Sequence, residues 1–445
     1  MFKYHGQRIF RYHQYGLTLG FLSLFLPFGV SGLISGYFLR DWLILDIVAT
    51  TLIVVIGICL VLFVVSRNIK RRGVFAQVKQ KQMLARMILS NKYYEIKKRQ
   101  DSGKSREKII MPKVFYRYGK KKVITEITMP ADGGRFHDRF LKMGKTFEEM
   151  YVADLIETSR EIGYVTYRLL CDVVGNRYSL QQVTTEGTQI NLMKGTSWNW
   201  DKAPHMLISG GTGGGKTYFL FSLIYKLMQI GIIDVCDPKQ ADLADLGDIP
   251  AFKGHVFTTN DFIARCLKNA VKDMEQRYAY MKSLPNYVSG KNYSYYEMPP
   301  HFVIVDEWAA FMSTLNYSES DEILKDVKQL ILKARQAGVF LIIATQRADA
   351  ENFGGGIRDN MMFKVTLGQL APVGYDMMFG DENKNKAFFN KDIRGRGYKY
   401  DSSGVPSEFY APLVPSDFQF MTEFRKIQPM KPFIMNSAEK KETDD

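Results

Sequence analysis

The sequence predicts an α/β protein whose mostly parallel sheet has helices on both faces, preceded by two apolar helices and a small α+β domain. Three observations support this fold class. Two long apolar runs lie near the amino terminus, short strand-like segments follow, and buried-looking strands alternate with helical stretches from His205 onward. With 445 residues, the chain is long enough for two or three folding units.

The first apolar run, Leu17 to Leu39, has no charge, and the second, Leu43 to Val65, has only Asp46. Each exceeds the roughly 20 residues needed to cross a bilayer. We therefore predict an anchor of residues 1–66 with transmembrane helices at 17–39 and 43–65. A secretory signal peptide fits poorly, because the first run is too long and a second follows at once. Asp46 lies one turn from the end of its run, so we interpret it as interfacial.

Basic residues flank the two runs and predict their orientation. These residues are Lys3, Arg8 and Arg11 before the first run, and Arg67, Lys70, Arg71 and Arg72 after the second. The turn between the runs holds only Arg40 and Asp41. By the positive-inside tendency, both termini and the soluble part are cytoplasmic. The prediction is a multi-pass protein of the plasma membrane.

The net charge of +14 is concentrated in one segment, since Arg67 to Lys122 holds 19 basic residues against 3 acidic ones. We predict a basic juxtamembrane helix and linker at residues 67–108, with the helix over Val74 to Gln100 and a flexible break over Asp101 to Lys108. The helix could lie on anionic lipid, contact DNA or be a solvated connector.

A small α+β domain is predicted for residues 109–200. Its strands are Val114 to Tyr118 and Val123 to Met129, on either side of the basic turn Gly119 to Lys122, and a helix is predicted near Phe147 to Glu161. No recognisable chemistry lies in this region.

The main domain is predicted at residues 201–414, followed by a tail at 415–445. Its strands and helices are predicted in alternation at His205 to Ser209, Thr217 to Ile230, Ile232 to Cys236, Asp261 to Ser283, Phe302 to Val305, Glu322 to Ala337 and Phe340 to Ala344. This alternation is typical of a parallel sheet covered by helices.

Residues Gly210 to Thr217 match G-x-x-x-x-G-K-[ST] between a predicted strand and a predicted helix, the context that a phosphate-binding loop requires. Glycines let backbone N–H groups surround phosphate, Lys216 reaches the β and γ oxygens, and Thr217 ligates Mg²⁺. The motif predicts ATP and Mg²⁺ as cofactors. The predicted nucleotide-binding residues are Gly210, Gly211, Thr212, Gly213, Gly214, Gly215, Lys216, Thr217 and Tyr218.

Asp306 and Glu307 end a second apolar strand, which we expect beside the strand of the loop. Asp306 is the predicted Mg²⁺ ligand. Glu307 is the predicted general base for water, which indicates a hydrolase. A helix N-cap with a companion acid is the structural alternative for this pair.

A third strand ends at Gln346, which we predict to orient water or sense the γ-phosphate. Arg335, Arg347 and Arg358 are candidates for completing the site of a neighbouring subunit, because an arginine finger neutralises charge in the transition state.

Several segments together resemble the FtsK/SpoIIIE family of hexameric DNA translocases, and more closely its small coupling-protein branch from conjugative elements of Gram-positive bacteria. The matching segments are Ala203 to Thr217, Cys236 to Lys239, Met274 to Tyr278, Ile304 to Glu307, Ala334 to Gly338, Ala344 to Arg347 and Gly395 to Gly397. The resemblance implies a RecA-like P-loop NTPase core, a homo-hexamer and ATP sites between subunits. It also favours Arg335 as the trans-acting arginine.

The family implies movement of DNA without sequence specificity, and the coupling-protein branch implies delivery of DNA to a conjugative channel. Roughly 30 residues follow Leu413, too few for the winged-helix reader of chromosome translocases, so we expect a relaxase or relaxosome and channel components as partners, together with membrane lipid. Loop Pro285 to Pro300, rich in tyrosine, is a candidate DNA-contacting element or an ordinary insertion. The alternative function is a protein-export motor of a type VII-like secretion system, and a scaffold with a silent site is disfavoured.

Overall fold

The structure, a computed structural model, describes residues 6–38, 43–70, 74–101, 104–119, 124–171, 174–383, 386–389, 393–402 and 404–428. The chain divides into two compact units, Met1–Cys171 and Asp172–Asp445. Some predicted features lie outside the described residues or side chains. These are Lys3, Arg40, Asp41, the side chains of Asp46, Arg67 and Lys70, Arg71, Arg72, most of the turn at 119–122, and the tail from 429.

The first unit contains five helices and seven strands among its described residues. The helices are α1 (Gly16–Phe38), α2 (Leu43–Lys70), α3 (Val74–Ser90), α4 (His137–Phe140) and α5 (Gly144–Tyr151). The strands are β1 (Gln7–Arg8), β2 (Glu95–Asp101), β3 (Lys104–Ile110), β4 (Phe115–Gly119), β5 (Ile124–Ala131), β6 (Asp154–Glu161) and β7 (Gly163–Leu170).

Helices α1 and α2 pack along each other, and a Cβ on Gly57 would lie 2.7 Å from Phe28, which shows how closely the two backbones approach. Their outer faces expose apolar side chains, including Leu33 at 78% and Ile44 at 80%. The stretches Arg11–Ile34 and Ile47–Ser66 are long and apolar enough to cross a membrane, by length and composition.

Helix α3 packs against the start of α1. The Leu17 amide donates to Gln82 Oε1 at 2.9 Å, and a Cβ on Gly20 would meet Phe75 at 3.0 Å. Its apolar residues Leu84 and Ile88 are buried. The apolar face of the predicted basic helix is therefore covered by protein.

The prediction of a helix to Gln100 followed by a flexible break was wrong. Asn91 Nδ2 donates to the Met87 carbonyl at 2.9 Å and Lys92 has a left-handed backbone (φ 55°), so the helix ends at Ser90. Strands β2 and β3 then form an antiparallel hairpin that satisfies their backbone groups.

Five strands of the first unit's described part form a sheet in the order β1-β4-β5-β7-β6. The two predicted strands are present as β4 and β5. The predicted helix over Phe147 to Glu161 was partly wrong, because Val152 is left-handed (φ 50°) and ends α5. The buried Glu148 carboxylate accepts the Leu155 amide at 2.8 Å and leads the chain into β6.

The second unit contains the remaining described elements. Its strands are β8 (Thr184–Glu186), β9 (Gln189–Met193), β10 (Thr196–Asn199), β11 (Met206–Gly210), β12 (Ile232–Cys236), β13 (Val256–Phe257), β14 (His301–Val305), β15 (Val339–Thr345), β16 (Phe363–Leu367), β17 (Arg396–Tyr400) and β18 (Ser407–Tyr410). Its helices are α6 (Lys216–Leu227), α7 (Asn260–Ser283), α8 (Trp308–Ser313), α9 (Tyr317–Ala337), α10 (Ile357–Asn360), α11 (Pro372–Phe379) and α12 (Phe420–Phe424).

Eight described strands of this unit form one sheet in the order β13-β12-β14-β15-β11-β16-β17-β18. The first six strands in this order, from β13 through β12, β14, β15 and β11 to β16, pair in parallel. Strands β17 and β18 add antiparallel pairs at one edge. Helices lie on both faces. The predicted α/β class with a mostly parallel sheet is confirmed.

The side chains of the central strands alternate between the two faces of the sheet. On one face, Val303 and Leu341 pack with residues of α7, α8 and α9 in the main core cluster. On the other, Phe302 contacts the rings of Trp198 and Trp200, with centroids 6.1 and 5.4 Å away. Because both tryptophans complete this core, residues 174–200 belong to the second unit, whereas the sequence placed the domain boundary at residue 200.

A cluster of charged and polar side chains is buried at the amino edge of the sheet. His301 lies between Asp273 (Nδ1 to Oδ2, 2.9 Å) and Asp234 (Nε2 to Oδ2, 2.9 Å). Arg277 is buried, pairs with Asp273 at 2.8 Å and donates to the carbonyl of Pro299 at 2.8 Å. Burial alone would lower the pKa of His301, but the hydrogen bonds and charges of the two aspartates outweigh it and raise that pKa to about 9.

This cluster predicts a pH dependence of stability. Because the folded-state pKa of His301 is about 9 and the ordinary value is 6.5, its contribution is complete below about pH 6.5 and is lost as the pH rises through 9. We expect roughly 2 to 3 kcal/mol of unfolding free energy to be lost between these limits.

The measurement is the thermal unfolding midpoint of the detergent-solubilised chain from pH 6 to 9.5, for the native protein and His301→Gln. The variant should be less stable at pH 6 and lose less stability with rising pH. His255→Gln is the comparison variant, since it removes the other imidazole that contacts Asp234, at 2.7 Å, and leaves both bonds of His301 in place. An unchanged pH slope in His301→Gln would contradict this role.

Candidate active site

The phosphate-binding loop connects the carboxyl end of β11 to the start of α6, as predicted. Gly213 (φ 79°) and Gly215 (φ 99°) have left-handed backbones that side-chain-bearing residues rarely adopt. A Cβ on Gly214 would lie 2.7 Å from the Leu367 carbonyl oxygen, and one on Gly210 would lie 2.6 Å from the same atom. The loop therefore requires glycine for close backbone packing as well as for its turns.

The loop is held from outside by the β16–β17 connection. The Gly395 amide donates to the Gly214 carbonyl at 3.0 Å, and the Gly368 amide donates to the Arg396 carbonyl at 2.7 Å. A Cβ on Gly368 would lie 2.8 Å from the Gly214 Cα. Backbone fixed in this way keeps the amide groups of the loop oriented for a ligand.

Lys216 is buried and faces the two predicted carboxylates. Its Nζ lies 3.5 Å from Asp306 Oδ1 and contacts Glu307 Oε1. Burial lowers the pKa of Lys216, although the charge of Asp306 acts in the opposite direction. Burial likewise raises the pKa of Asp306 against the effect of Lys216. The three groups thus form a desolvated cluster in which charge interactions are strong.

Asp306 and Glu307 follow β14, which pairs with β15 and not with β11. Strand β15 lies between the strand of the loop and the strand of the carboxylates, so the expected direct adjacency of those two strands was wrong. Asp306 is nonetheless brought to Lys216 because all three strands are parallel and end at the same edge.

Glu307 occupies the N-cap position of α8 with a left-handed backbone (φ 49°, ψ 49°), which is unfavourable for a side-chain-bearing residue. Its side chain makes no capping hydrogen bond to the helix. The carboxylate instead contacts two lysines, so its position serves the cluster and the N-cap alternative does not account for it.

The second of these lysines, Lys239, was not predicted as a site residue. Its Nζ lies 3.0 Å from Glu307 Oε2. Lys239 follows β12, and buried Asp237 holds this turn by accepting the backbone amides of Lys239, Ala241 and Ala244 at 2.8 to 3.1 Å. Its place after a parallel strand of the same sheet was the available sequence signal.

A cavity of about 270 Å³ lies over the loop. Its lining contains Gly210, Gly211, Thr212, Gly213, Gly215, Lys216, Thr217, Tyr218, Asp242, Glu307, Gln346 and Arg394. Gln346 is thus where the sequence predicted it, and its carbonyl accepts Ser209 Oγ at 3.1 Å. Arg394 and Asp242 were missed. Arg394 reaches this edge because β17 runs antiparallel, so that the residues before it lie beside the ends of the parallel strands.

The residues present fit a nucleotide with Mg²⁺. A glycine-rich loop, a buried lysine and a second cation line one cavity, which suits a polyphosphate. The Thr217 hydroxyl and the Asp306 carboxylate are oxygen ligands of the type that Mg²⁺ prefers.

The three candidate arginines do not line this cavity. Arg335 lies near the end of α9, at the amino edge of the sheet, and β15 separates it from the loop edge by about 20 Å. Arg347 is exposed and lies 3.4 Å from Asp349 Oδ1, and Arg358 donates to the Ala348 carbonyl at 3.1 Å. Arg335 therefore cannot complete the site of its own subunit.

Arg335 lines a separate groove of about 1120 Å³ between α7, α9 and the loop at 285–300. The groove also carries Lys282, Lys291 and Lys333, with Glu275 as its acidic member among the described lining residues. Within the tyrosine-rich loop, Tyr293 is buried, and its hydroxyl accepts a hydrogen bond from Trp200 Nε1 at 2.8 Å. Tyr295 is about half exposed. Part of this loop is therefore core structure.

The fold and this site together define a P-loop NTPase. Residues 156–293 match the model of the FtsK/SpoIIIE family. The FtsK domain-containing protein YdcQ of Bacillus subtilis is 37% identical over 447 residues, covering 95% of this chain and 91% of that protein. The DNA translocase FtsK of Lactococcus lactis subsp. cremoris is 30% identical over 184 residues, which cover 37% of this chain and 24% of that protein.

Two solved structures are similar at lower identity. The pCW3 conjugation coupling protein TcpA, solved with ATPγS, is 17% identical with a TM-score of 0.48, covering 71% of this chain and 93% of that one. ATPases 2 and 3 of EssC from Geobacillus thermodenitrificans are 16% identical with a TM-score of 0.44, covering 56% of this chain and 50% of that one.

The similarity to YdcQ extends over nearly the whole of both proteins, so the chain belongs to the FtsK/SpoIIIE family. It is a P-loop ATPase of that family.

The close packing of the loop predicts which glycines tolerate a methyl group. Gly214→Ala should weaken nucleotide binding by about tenfold or more, because its Cβ would lie 2.7 Å from the Leu367 carbonyl oxygen and displace the loop. Gly247→Ala is the control outside the cavity lining, since its Cβ would meet only Val256, at the ordinary distance of 3.8 Å.

Binding of a fluorescent ATP analogue, measured together with the unfolding temperature, tests this contrast. Gly247→Ala should bind within about twofold of the native protein. Equal affinities in the two variants would show that the contact with Leu367 does not constrain the loop.

Proposed function

We propose that this ATPase is anchored in the membrane and moves DNA, delivering it without sequence specificity to a conjugative transfer channel. The observation that carries the proposal is the buried cluster of Lys216, Asp306 and Glu307 beside the loop, because it unites nucleotide binding with a base for hydrolysis. Family membership supports DNA as the substrate, since several relatives are named DNA translocases. A relaxase or relaxosome and channel components would supply substrate choice.

Each residue of the site has a proposed role. Bound ATP with Mg²⁺ would supply the phosphoanhydride bond whose hydrolysis drives movement. Lys216 and Arg394 would bind phosphate oxygens, and Thr217 and Asp306 would hold the metal. Glu307 would take the proton of the attacking water, with Gln346 orienting that water.

Lys239 would hold Glu307 in place when Lys216 is engaged by phosphate. The two lysines contact different oxygens of the carboxylate, Lys216 at Oε1 and Lys239 at Oε2. Lys239 is 42% exposed, whereas Lys216 is 9% exposed and lines the cavity, so Lys239 contacts Glu307 from a position more open to solvent.

The membrane anchor is supported by the apolar surface of α1 and α2. Large apolar side chains are exposed along both helices, among them Leu26 at 65%, Leu33 at 78% and Phe63 at 61%. A surface of this kind is costly in water and stable in lipid, where helices satisfy their own backbone hydrogen bonds. Together with the flanking basic residues, it supports a multi-pass plasma-membrane protein whose ATPase unit is cytoplasmic.

Hydrolysis by the detergent-solubilised full chain, measured without DNA, with single-stranded DNA and with duplex DNA, tests the function. We expect stimulation of several-fold or more by DNA, independent of sequence and weakened by salt. Lys216→Ala should abolish hydrolysis by preventing phosphate binding. Glu307→Gln should bind nucleotide but hydrolyse it at least about 100-fold more slowly.

If no DNA stimulates ATP hydrolysis and a secreted polypeptide does, the result would favour the protein-export motor instead. Normal hydrolysis by Glu307→Gln would contradict the proposed base.

A ring of six subunits would place the exposed Arg335 of one subunit at the nucleotide site of the next. Its distance from its own loop and its location on an open basic groove support this assembly. Burial raises the pKa of the half-buried Asp201, while its hydrogen bonds with Asn292 and Tyr293 and the charge of Arg335 act in the opposite direction.

Mixing inactive subunits tests the role of Arg335. Arg335→Ala and Lys216→Ala should each be nearly inactive alone, and mixtures should recover hydrolysis because some interfaces pair an intact arginine with an intact loop. Lys333→Ala is the matched control on the same groove and should be active alone. No recovery at any ratio would contradict a trans-acting arginine.

A further inference from the structure

A second cavity, of about 780 Å³, lies in the first unit next to the start of α1. Its lining consists of Arg8, Phe10, Arg11, Tyr12, Gln14, Tyr15, Lys108, Ile109, Ile110 and Met111. Three of these described residues are cationic and none is acidic. Glu107, the adjacent acid in the chain, is exposed and is not part of the lining. The cavity thus combines positive charge with an apolar wall.

The aromatic residues of this cavity are unusually open to solvent. Phe10 is 40% exposed, Tyr12 is 56% exposed and Tyr15 is 55% exposed. The Arg8 guanidinium lies 5.1 Å from the centre of the Phe10 ring. Exposed rings mixed with arginine are typical of the boundary between lipid and water, where a ring presents an apolar body and a polar edge.

The segment that carries these side chains is fixed at both ends. Strand β1 pairs with β4 through Arg8 and Phe115, and the Ile9 amide donates to the Val114 carbonyl at 2.8 Å. On the other side, Arg86 Nε donates to the Gln14 carbonyl at 3.3 Å. Arg8 and Arg11 are therefore presented by a structured segment that joins the sheet of the first unit to α1, and Lys108 is presented by β3.

The cavity also lies beside the amino end of α1. Tyr15 directly precedes Gly16, the first residue of α1, and Arg11 lies within roughly 10 Å of that residue along a 3-10 turn. If α1 crosses the membrane, the cavity opens into the interfacial layer outside the hydrocarbon core.

We propose that this cavity binds the headgroup of an anionic phospholipid. Arg8, Arg11 and Lys108 pair with the phosphate, and Ile109, Ile110 and the aromatic rings contact the glycerol and upper acyl chains. Arginine suits this ligand because its planar guanidinium forms paired hydrogen bonds with phosphate oxygens. The site rests on the membrane placement proposed above for α1. Nucleic acid is the less suitable polyanion, because the wall is apolar and adjoins an apolar helix.

The test uses the full chain in nanodiscs containing equal amounts of phosphatidylglycerol and phosphatidylcholine. Native mass spectrometry measures the ratio of the two lipids that remain bound to the released protein. The native protein should retain phosphatidylglycerol preferentially. Arg8→Gln combined with Arg11→Gln should lower that ratio by about tenfold, since each cation near the surface contributes to anionic lipid binding.

Lys142→Gln combined with Lys145→Gln is the matched control, because it removes the same charge from exposed positions of the same unit. It should leave the lipid ratio unchanged, and both double variants should keep their DNA-free ATPase rate. An unchanged ratio in the arginine variant, or an equal fall in the lysine variant, would overturn the site.

Two competition experiments test whether the cavity instead binds free phosphate or the phosphates of DNA. Inorganic phosphate and a short DNA duplex should fail to displace phosphatidylglycerol, and displacement by either would overturn a lipid site. Extraction with alkaline carbonate separates the two proposals. A protein that leaves the membrane contradicts the spanning helices, whereas one that stays but shows no lipid preference contradicts only the cavity.

Discussion

The packing of the phosphate-binding loop against the end of β16 is the constraint on which the nucleotide site depends. Gly214 lies against Leu367 and Gly368 with backbone touching backbone, and the Gly395 amide donates to its carbonyl. Such contact leaves no room for a side chain at Gly214. It fixes the loop relative to β11, which precedes it, and to β16 and β17, which it contacts. The carboxylates after β14 and the lysine after β12 reach the same edge as the loop because β12, β14, β15 and β11 are parallel. Each of these strands pairs with the next in that order, so their carboxyl ends lie side by side.

The two edges of this sheet use buried charge in opposite ways. At the amino edge, each polar group of His301 has a carboxylate partner, and Arg277 is satisfied by Asp273 and by carbonyl groups. At the carboxyl edge, burial lowers the pKa of Lys216 and raises the pKa of Asp306, so it favours the neutral form of each group. Fully paired charges stabilise one structure, whereas desolvated charges facing a cavity remain available to a ligand. The same low dielectric therefore has a structural role at one edge and a chemical role at the other.

Much of the second unit could be predicted from sequence because its strands are short, apolar and separated by strongly periodic helices. The loop, Asp306, Glu307 and Gln346 were found because each follows such a strand. Lys239 and Arg394 were missed, although Lys239 follows a predicted strand, because the sequence does not show which strands end beside the loop. Both residues reach the site because of the order and direction of the strands, which the sequence does not specify. Strand β15 lies between β11 and β14, and β17 is antiparallel to β16.

The errors in the first unit have a local cause. The residues from Asn91 to Gln100 and from Val152 to Glu161 contain many charged side chains that are compatible with a helix. Each segment has a left-handed residue at its start, Lys92 or Val152, where the preceding helix has ended. Neither residue is glycine, so the usual signal for such a stop is missing. Pairing with a neighbouring strand, a tertiary effect, then decides the structure.

The hairpin that carries Trp198 and Trp200 determines where the ATPase unit can be separated from the rest of the chain. Cutting at residue 201, where the change in sequence pattern lies, would remove both rings from Phe302 and leave the Tyr293 hydroxyl without its indole partner. Losing a buried tryptophan typically costs about 3 to 5 kcal/mol, comparable with the whole stability of many domains. A soluble fragment meant to remain folded therefore has to begin close to residue 172, where the second unit itself begins.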